Sequence, residues 1–539
     1  MATVTIQDLP AATTPLTGAE LVPLVQSGVT KQTALTNTLA QPYYAKTFAE
    51  DVAGVTPTYY TYPAGDVRRY GAVGNGTADD TVALQAAITA CIQGGVEMFL
   101  PGTSSGAYKI TTALSVTGKI SIRGEGYGKT AIIAVGVNIF NISAGVSQIE
   151  MSGLRLNAAV RHTTTPNTLV AINVQGTTAS SCQYHSYSDL FIDGFATPIQ
   201  ANGLRESSIF NVTTVFGKHG IIAEQQTVNN RVLDCLLTGS GAGSYGVQTG
   251  DGSAAAEGWI ISNSVLFGFS RGVWGYGCNN SQVIDCIIDF FSEYGVLLQS
   301  GAAIAATNWI IKANYMAASG TASSGVRCLS SYASSNNRGN TISENGILVY
   351  SGSTLSYGIL IDGTQEYYNR IVDNSLKATT YDCRITSGTT HLVEGNSFLG
   401  GGFSATTRNM FGTNFGTVLA DPNVFLKRYA YTAVRQTVTY SASMTPDLAE
   451  ANHFTIIATN ATAFTVNLPT NYGTSSEQFT FTIRNTSGGA LGVATWTTGY
   501  KMSAWTQPAT GFARSITFAY NPATTYFEEV SRTTADVPN

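Results

Sequence analysis

Short runs of alternating hydrophobic and polar residues dominate this chain. Such alternation predicts β-strands, because successive side chains of a strand point to opposite faces. Between residues 150 and 400, a glycine followed by an aliphatic residue recurs at intervals of 26, 26, 23, 30 and 33 residues. The glycines of these pairs are Gly220, Gly246, Gly272, Gly295, Gly325 and Gly358. A repeat of roughly 20–35 residues, built from strands and turns, predicts a solenoid of stacked coils.

A second recurring element, in which aliphatic residues precede Asp or Asn, accompanies these glycines. Its copies lie at 232–235, 260–264, 283–286, 310–315, 371–375 and 392–397. We expect Asn263, Asn314, Asn374 and Asn396 to satisfy backbone groups at tight corners. Asp234, Asp285 and Asp373 occupy a recurring turn position, which indicates a structural role. The pattern excludes leucine-rich repeats and propeller blades, and it predicts a parallel β-helix over residues 66–425 with surface loops near 301–308 and 329–357.

One helix is predicted near the start of this region, at about residues 78–93. Thr77 followed by Asp80 predicts a capping box, hydrophobic residues then recur at helical spacing, and Gly94 with Gly95 ends the pattern. Val96, Met98 and Leu100 then alternate as in a strand. Residues 66–110 therefore form a distinct first segment of the predicted solenoid.

The two ends of the chain differ from the repeat. Residues 1–45 mix short apolar pairs with Pro, Thr and Gly, and residues 46–65 have the composition of a linker. Residues 426–539 alternate apolar and polar positions as half-exposed antiparallel strands do, which predicts a C-terminal β-sandwich. With 539 residues, two to four domains are expected.

Composition excludes several functions. Charged residues make up only 11% of the chain and the net charge is −5, with no basic block, so nucleic-acid binding is not expected. Neither a secretory signal nor an apolar run long enough to enter a membrane is present. The 7 cysteines form no CxxC pair and are expected to be reduced and buried. The 5 histidines lack metal-ligand spacing, so neither a metal nor a cofactor is predicted.

The segment from Asp66 to Ile88, with the pattern D-V-x-x-Y-G-A-x-G-N-G-x-x-D-D-T-x-A-L-Q-x-A-I, is the most specific motif. It resembles the first segment of pectate-lyase-like proteins, which are right-handed, single-stranded parallel β-helices and include many bacteriophage tailspikes. The pattern from Val96 to Ile110 fits the same family. In that family this segment caps the end of the solenoid, so the resemblance assigns Asp79 and Asp80 to capping rather than catalysis.

A second resemblance lies at the N-terminus. The pattern I-x-D-L-P and the residues that follow it resemble the part of phage tail proteins that attaches a spike or fibre to the virion. The matching attachment residues are Ile6, Asp8, Leu9, Pro10, Pro23 and Gln26. The resemblance implies a protein made in the host cytoplasm and located in the phage tail. It also implies a homotrimer that attaches to a tail, portal-adaptor or baseplate protein, with the C-terminal domain contributing to trimerisation or receptor contact.

The implied ligand is a surface polysaccharide of the host bacterium, either O-antigen or capsule. Sugars need aromatic faces for stacking and planar polar groups that bond hydroxyls. The repeat region supplies candidate stacking platforms at Trp259, Trp274, Tyr276, Trp309, Tyr357, Tyr367 and Tyr368. Aromatic side chains of a solenoid also fill its core or its subunit interfaces, and this alternative stays open for each of them.

Cleavage of such a glycan by hydrolysis needs two carboxyl groups, about 5 Å apart in retaining and about 6.5–9.5 Å apart in inverting enzymes. Carboxylates that interrupt the repeat near aromatic residues are the candidates. Asp289 and Glu293 with Glu257 form the preferred set, and Asp362 and Glu366 are the alternatives. Solvated or turn-capping roles for these residues stay open.

Three functions therefore remain. The first is a tailspike that depolymerises its receptor glycan, and the second is a non-enzymatic receptor-binding fibre of the same fold. The third is a cellular pectinase-like enzyme, which the N-terminal motif disfavours. A calcium-dependent lyase is disfavoured because no dense acidic cluster occurs, and a serine esterase because no GxSxG motif has the required strand–turn–helix context.

Overall fold

The computed structural model describes most of the chain in detail. The described residues are 44–103, 106–302, 304–332, 336–363, 365–388, 391–405, 435–448, 451–471 and 478–539, with backbone alone for strands at 21–26, 29–34, 409–411, 415–418 and 424–426. Two compact units cover residues 1–248 and 249–539. The described helices are Phe48–Val52, Thr81–Gly94 and the 3-10 helix Val67–Tyr70, and the remaining regular structure is β, which confirms the all-β prediction. No helix within this part of the chain has the length and apolarity needed to cross a membrane.

The N-terminal strands form a hairpin. Leu21–Gln26 pairs antiparallel with Val29–Ala34. Pro23 and Gln26 lie on the first of these strands, whereas Ile6, Asp8, Leu9 and Pro10 fall outside the described residues. Virion attachment through this end therefore stays a prediction.

Residues 46–65, predicted as a linker, instead belong to the folded first unit. Thr47 and Glu50 cap the short helix reciprocally, and Arg69 Nε lies 2.6 Å from Glu50 Oε1 in a fully buried ion pair. Burial alone would raise the pKa of Glu50, but the hydrogen bonds from Arg69 and the Thr47 backbone outweigh it and lower this pKa to about 2. The composition of the segment could not reveal its partner, because Arg69 lies outside it.

The segment after residue 66 caps the edges of the first coil, as the resemblance implied. Asp66 bridges to Phe99 and Asp79 bridges to Lys109, each in parallel register. At the strand Leu114–Val116, the Gln85 side chain takes the place of a paired strand. Its amide N–H donates to Ser115 O at 3.0 Å, and its amide oxygen accepts from Ser115 N at 2.8 Å. An uncovered strand edge would otherwise present unpaired backbone groups.

The capping box predicted at Thr77 and Asp80 is wrong. The helix begins at Thr81, and the side chain of Asp80, its N-cap residue, makes no cap bond. The Asp80 carboxylate instead accepts from Val73 N at 2.6 Å and Gly74 N at 3.1 Å, which holds the preceding turn against the helix. The sequence pattern could not distinguish these two uses of one carboxylate.

Parallel coils fill the rest of the first unit. Its strands are Met98–Leu100, Tyr108–Ile110, Leu114–Val116, Ile120–Gly124, Ala131–Ala134, Phe140–Ile142, Ile149–Ala158, Val170–Gln175, Cys182–Gln183, Ser186–Asp193, Thr197–Asn202, Leu204–Arg205, Ser208–Val215, Ile221–Ala223, Arg231–Leu233, Leu236–Thr238 and Tyr245–Thr249. Successive coils pair in parallel, so that buried side chains stack in inward columns. One such column is Met98, Ile122, Met151, Tyr187, Ile209 and Val232.

Parallel coils also form the second unit up to residue 426, where three faces can be defined. Face A holds Ile260–Ser262, Gln282–Ile284, Ile310–Lys312, Thr341–Ser343, Arg370–Val372, Leu392–Glu394, Asn409–Phe411 and Val424–Leu426. Face B holds Val265–Phe267, Ile287–Phe291, Tyr315–Ala318, Gly346–Val349, Ser375–Leu376 and Phe415–Val418. Face C holds Arg271–Tyr276, Tyr294–Gln299, Thr321–Ser330, Thr354–Gly363 and Tyr381–Ile385, and Ser397–Ala405 runs from face B to face C. Short strands Ala256–Glu257, Cys278–Asn279, Asn337–Arg338 and Glu366–Tyr367 mark the corner before face A.

The corner between faces A and B explains the recurring Asp and Asn residues. Asp285 and Asp373 have φ angles of 54° and 56°, the left-handed conformation that Asp and Asn tolerate best. The next position faces inward, where Asn314, Asn345, Asn374 and Asn396 form a buried ladder. Asn263 was predicted to satisfy backbone groups with the ladder residues, but it is exposed, with a φ of 49°, and takes the left-handed position instead.

All of the cysteines behave as predicted. Each is buried and none forms a disulfide. They are Cys91, Cys182, Cys235, Cys278, Cys286, Cys328 and Cys383. Cys286 occupies the inward corner position that Asn314 occupies one coil later, and its backbone N–H donates to the Asn314 side chain at 2.9 Å. These thiols are small core groups, as expected of buried cysteines.

The C-terminal region forms two sheets over an aromatic core, but its strands are not all antiparallel. One sheet contains Arg435–Val438, His453–Ala458, Gln478–Asn485, Phe512–Asn521, Tyr526–Arg532, Tyr500–Lys501 and Val537–Pro538, and the other contains Ser443–Met444, Phe464–Val466 and Ala494–Trp496. The first three strands of each sheet pair in parallel. Antiparallel pairing begins only with Phe512–Asn521. The antiparallel prediction is thus wrong for the earlier strands, because alternation reports which face is buried and not which way a strand runs.

Candidate functional site

The structure separates the predicted site residues into the inside, the corner and the outside of the coils. Trp259 and Trp309 are completely buried, so the stacking role predicted for them is wrong. Both lie in one inward column at the start of face A, two coils apart. The Trp309 indole N–H donates to Cys278 O at 2.6 Å, which satisfies its one polar group inside the core.

Glu366, an alternative catalytic candidate, is also completely buried. Its carboxyl oxygens accept from the amides of Asn337 at 2.9 Å and Asn369 at 3.2 Å. Burial raises the pKa of Glu366 well above its usual value, and the two amide bonds lower it only in part. A group sealed in this way has no access to a substrate, so a catalytic role for Glu366 is excluded.

The corner before face A carries the remaining scattered candidates. Glu257 is exposed and pairs in register with Asn279. Tyr367 and Tyr368 lie several coils further on, with ring centroids 6.3 Å apart, and Tyr368 is 62% exposed. These groups therefore do not meet Asp289 or Glu293, and Glu257 does not complete the predicted carboxylate set.

The outside of face C brings together aromatic rings and arginines. Trp274 and Tyr276 are half-buried and stack nearly parallel, with ring centroids 5.0 Å apart and an interplanar angle of 8°. The Arg271 guanidinium lies 4.7 Å from the Trp274 ring and 2.9 Å from Glu293 Oε2. The indole N–H of Trp274 donates to Gln299 Oε1 at 3.2 Å. These contacts fix the two rings as one platform.

A second group follows two coils along the same face. Arg327 donates to both carboxylate oxygens of Asp362, at 2.9 and 2.6 Å, and to Tyr294 Oη at 2.7 Å. Desolvation would lower the pKa of Arg327, but the hydrogen bonds and charge of Asp362 and Tyr294 outweigh it and hold this pKa above its ordinary value. Arg327 therefore stays charged, and its bidentate contact with Asp362 fixes the geometry of both side chains.

Face C continues with a third aromatic group. Tyr357 and Tyr381 stack with ring centroids 6.3 Å apart and an interplanar angle of 5°. The Arg384 guanidinium lies 5.0 Å from the Tyr381 ring. Arg384 occupies the register position of Trp274 and Arg327, because strand pairing places all three in one outward column. We call the outward residues of face C, from Arg271 to Arg384, the face C strip.

Asp289, the first catalytic candidate, lies on face B instead. Tyr350 Oη donates to it at 2.9 Å, and Phe290 packs between Phe267 and Tyr350 at centroid distances of 5.1 and 4.8 Å. Phe290 has a φ of 57° and sits where the strand register shifts, so a β-bulge turns its side chain outward. With Tyr315, these residues form an exposed aromatic patch that we call the face B patch.

Two of the candidate carboxylates, Glu293 and Asp362, lie far apart on face C. Glu293 precedes the strand Tyr294–Gln299, whereas Asp362 is in register with Gln299, at its far end. At about 3.3 Å per residue, their backbone positions differ by roughly 20 Å along the strand, well beyond the separation that glycoside hydrolysis uses. Within the described residues, no cluster of His, Cys, Asp and Glu could hold a metal ion.

Several residues of the face C strip were missed in the sequence. Arg271 and Tyr294 each immediately precede a recurring glycine, as the predicted Tyr357 does, so the repeat itself contained the signal. The glycine faces inward, where it allows close packing with the next coil, and the residue before it therefore faces outward. Arg327 follows Val326, which is completely buried, and therefore points outward.

Comparison with known proteins gives matches by structure alone. No family model matches the chain, and no curated protein matches its sequence. Similar solved structures include the mannuronan C-5 epimerase AlgE4 A-module of Azotobacter vinelandii, at 15% identity and a TM-score of 0.43, covering 68% of this chain and 98% of that one. A mutant DFA-IIIase of Arthrobacter chlorophenolicus A6 in complex with DFA-III matches at 15% identity and a TM-score of 0.48, covering 68% and 99%. The Dettilon tailspike protein matches at 15% identity and a TM-score of 0.46, covering 64% of this chain and 68% of that one.

Proposed function

We propose that this chain is a phage tailspike whose face C strip binds a bacterial surface polysaccharide, either O-antigen or capsule. The observation that carries the proposal is the strip itself, where stacked rings, guanidiniums and carboxylates repeat along the coil axis. Successive coils are about 4.8 Å apart, so a long glycan lying along the strip meets a new rung at each coil.

The strip supplies both kinds of contact that a sugar needs. The C–H faces of sugar rings stack on Trp274 and Tyr276, while the carboxylates of Glu293 and Asp362 accept from hydroxyls. Arg271 and Arg327 hold these carboxylates in place before the ligand arrives. Such preorganisation reduces the entropy lost on binding, because fewer side-chain rotamers remain to be fixed.

Binding is the function that the geometry supports best. Glu293 and Asp362 lie at opposite ends of their strands on face C, beyond the separation that hydrolysis uses, and Glu257 lies at the corner before face A. Depolymerisation would need a carboxyl pair at hydrolytic separation, whether from one chain or from neighbouring copies.

The face B patch is our candidate for contact between copies in a homotrimer. Phe267, Phe290 and Tyr315 are 41%, 42% and 39% exposed, and exposed apolar groups clustered in this way mark interaction surfaces. In this proposal the N-terminal end attaches the trimer to a tail, portal-adaptor or baseplate protein. Sedimentation equilibrium at micromolar concentration should give a mass of three chains, and a monomer would contradict this part of the proposal.

An array of purified bacterial O-antigens and capsular polysaccharides tests the binding function. The full chain should bind at least one polysaccharide, and Trp274→Ala should weaken that binding at least tenfold because it removes half of the stacked platform. Tyr59→Ala is the matched control, since Tyr59 is an exposed aromatic residue of the first unit.

Two results would contradict the proposal. The first is that no polysaccharide binds although the variants are folded, and the second is equal binding by Trp274→Ala and its parent. Measurement of new reducing ends on the bound polysaccharide separates the two tailspike hypotheses. Cleavage would support the depolymerase, and binding without cleavage would support the non-enzymatic fibre.

A further inference from the structure

A positively charged depression lies on the outer side of the first unit, within residues 1–248. It has a volume of about 390 Å³ and is lined by residues of the strand Ile149–Ala158, the loop that follows it, and Asp193. Neither sequence motif touches it. Its position in a separate compact unit makes it a different feature from the face C strip.

Two arginines share one carboxylate at this depression. Arg161 donates to both oxygens of Asp193, each at 2.8 Å, and Arg155 Nη2 lies 3.2 Å from Asp193 Oδ2. The Asp193 side chain is only 5% exposed, whereas those of Arg155 and Arg161 are 40% and 43% exposed. The cluster therefore carries a net positive charge and turns its guanidiniums, not its carboxylate, toward solvent.

Both guanidiniums are held in place by their surroundings. Arg155 lies 4.8 Å from the Phe191 ring, and Arg161 lies 3.9 Å from the Phe216 ring. Gly194 has a φ of 84°, and a Cβ there would come within 3.0 Å of Arg161. Glycine at position 194 thus permits the close approach of Arg161, and the cationic site exists before any ligand binds.

We propose that this depression binds the carboxylate of an acidic sugar, such as a uronic acid residue. A planar guanidinium is the side chain best matched to a carboxylate, and Asp193 occupies only some of the ten N–H donors that two arginines supply. The Thr164 hydroxyl can bond a sugar hydroxyl, and the apolar side chains of Ile133 and Val160 can contact the ring. The proposal depends on the proposed function only in assigning the anion to a polysaccharide.

A ligand-observed NMR titration of the full chain with sodium glucuronate tests the site, with glucose as the neutral probe. We expect glucuronate to bind and glucose to bind at least tenfold more weakly. Arg161→Gln should weaken glucuronate binding at least tenfold, because it removes a charge-assisted contact. Arg231→Gln is the matched control, since it removes one positive charge from an exposed position of the same unit and should leave the affinity unchanged.

A second variant protects the test against a folding defect. Thr164→Trp fills the depression without altering the ion pairs and should weaken glucuronate binding to a similar extent. Retention of full affinity by Thr164→Trp and Arg161→Gln would overturn the proposal, as would equal binding of glucose. Inorganic phosphate that binds as tightly, with the same dependence on Arg161, would replace the acidic-sugar site with a general anion site. Trp274→Ala must leave glucuronate binding unchanged, so failure here is distinguishable from failure of polysaccharide binding.

Discussion

Asp362 and Glu366 are four positions apart in the chain, yet their carboxyl groups lie in opposite environments. Asp362 faces outward from face C and pairs with Arg327, whereas Glu366 faces inward and meets only amide groups. The outer carboxylate accepts both of its hydrogen bonds to Arg327 from a charged guanidinium. The inner group is driven toward its uncharged form, because burial raises its pKa.

The same contrast extends to the tryptophans. Trp309 fills the interior, where a Cβ on Gly275 would come within 2.5 Å of its ring, while Trp274 stacks on the outside of face C. Interior groups are thus fixed by packing and amide bonds, and exterior groups by ion pairs and stacking. We therefore expect interior substitutions to act mainly on stability and exterior ones mainly on binding.

The largest effect on stability is expected for Trp309→Ala. Removing a completely buried indole should lower the free energy of unfolding by about 3–5 kcal/mol, through lost transfer energy and the cavity left behind. Urea denaturation followed by tryptophan fluorescence measures this change. Trp274→Ala is the exterior control and should lower the free energy of unfolding by less than about 1.5 kcal/mol. Equal losses for the two variants would show that interior and exterior tryptophans contribute alike to stability.

Asn374→Ala should have the next largest effect. Asn374 accepts from Asn345 N at 3.0 Å and donates to Ile342 O at 2.9 Å, so the alanine leaves buried backbone groups without partners. A cost of about 2–3 kcal/mol is expected, measured again by urea denaturation. Asn263→Gly, at an exposed left-handed position, should change stability by less than about 0.5 kcal/mol. A similar loss in both variants would show that the ladder does not hold the corner.

These two variants also mark how far the sequence could predict this fold. The coil repeat could be predicted because only glycine fits where neighbouring coils approach closely. The corners could be predicted because Asn and Asp tolerate the left-handed backbone conformation found there. Asn263 and Asn314 occupy adjacent positions of that corner, and only the three-dimensional register shows that one faces solvent and the other the core.

The candidate site was harder to predict than the fold. Trp259 and Trp309 are each followed by two isoleucines, and the sequence alone does not show which isoleucine, and hence which neighbouring side, faces the core. Trp274 and Tyr276 were identified, but the ion pairs of face C were not, since Arg271 with Glu293 and Arg327 with Asp362 pair across coils. Separations of 22 and 35 residues carry no local pattern.

The pH dependence of stability in Glu366→Gln tests the contrast between interior and exterior groups. Because the folded-state pKa of Glu366 is raised, the stability associated with its protonated form is fully present below the unfolded value of about 4.5 and is lost as pH rises toward the folded pKa. Over that interval the parent should lose about 1.4 kcal/mol per pH unit relative to Glu366→Gln. The comparison uses urea denaturation of both proteins from pH 4.5 to 8.

The difference between parent and variant isolates this one group. His185 and His219, which lie away from Glu366, have pKa values lowered to about 4 by burial, so the stability that they contribute above the ordinary histidine value is lost as pH falls, equally in both proteins. Glu394→Gln, at an exposed position on face A, should show no pH-dependent difference from the parent. If the stability difference between the parent and Glu366→Gln also does not change with pH, the inner carboxyl group is not held in its uncharged form.

A small effect on stability is expected for Glu293→Gln, on the outside of the coil. The Glu293 side chain is 39% exposed and pairs with an Arg271 side chain that is 22% exposed, so loss of the pair should cost less than about 1 kcal/mol. Its effect on polysaccharide binding should be larger than its effect on stability, since Arg271 then loses the contact that fixes it beside Trp274. Asp289→Asn on face B is the control and should leave binding unchanged, because Asp289 contacts Tyr350 and not the face C strip. If Glu293→Gln instead abolished cleavage while leaving binding intact, Glu293 would be a catalytic residue and not only a binding one.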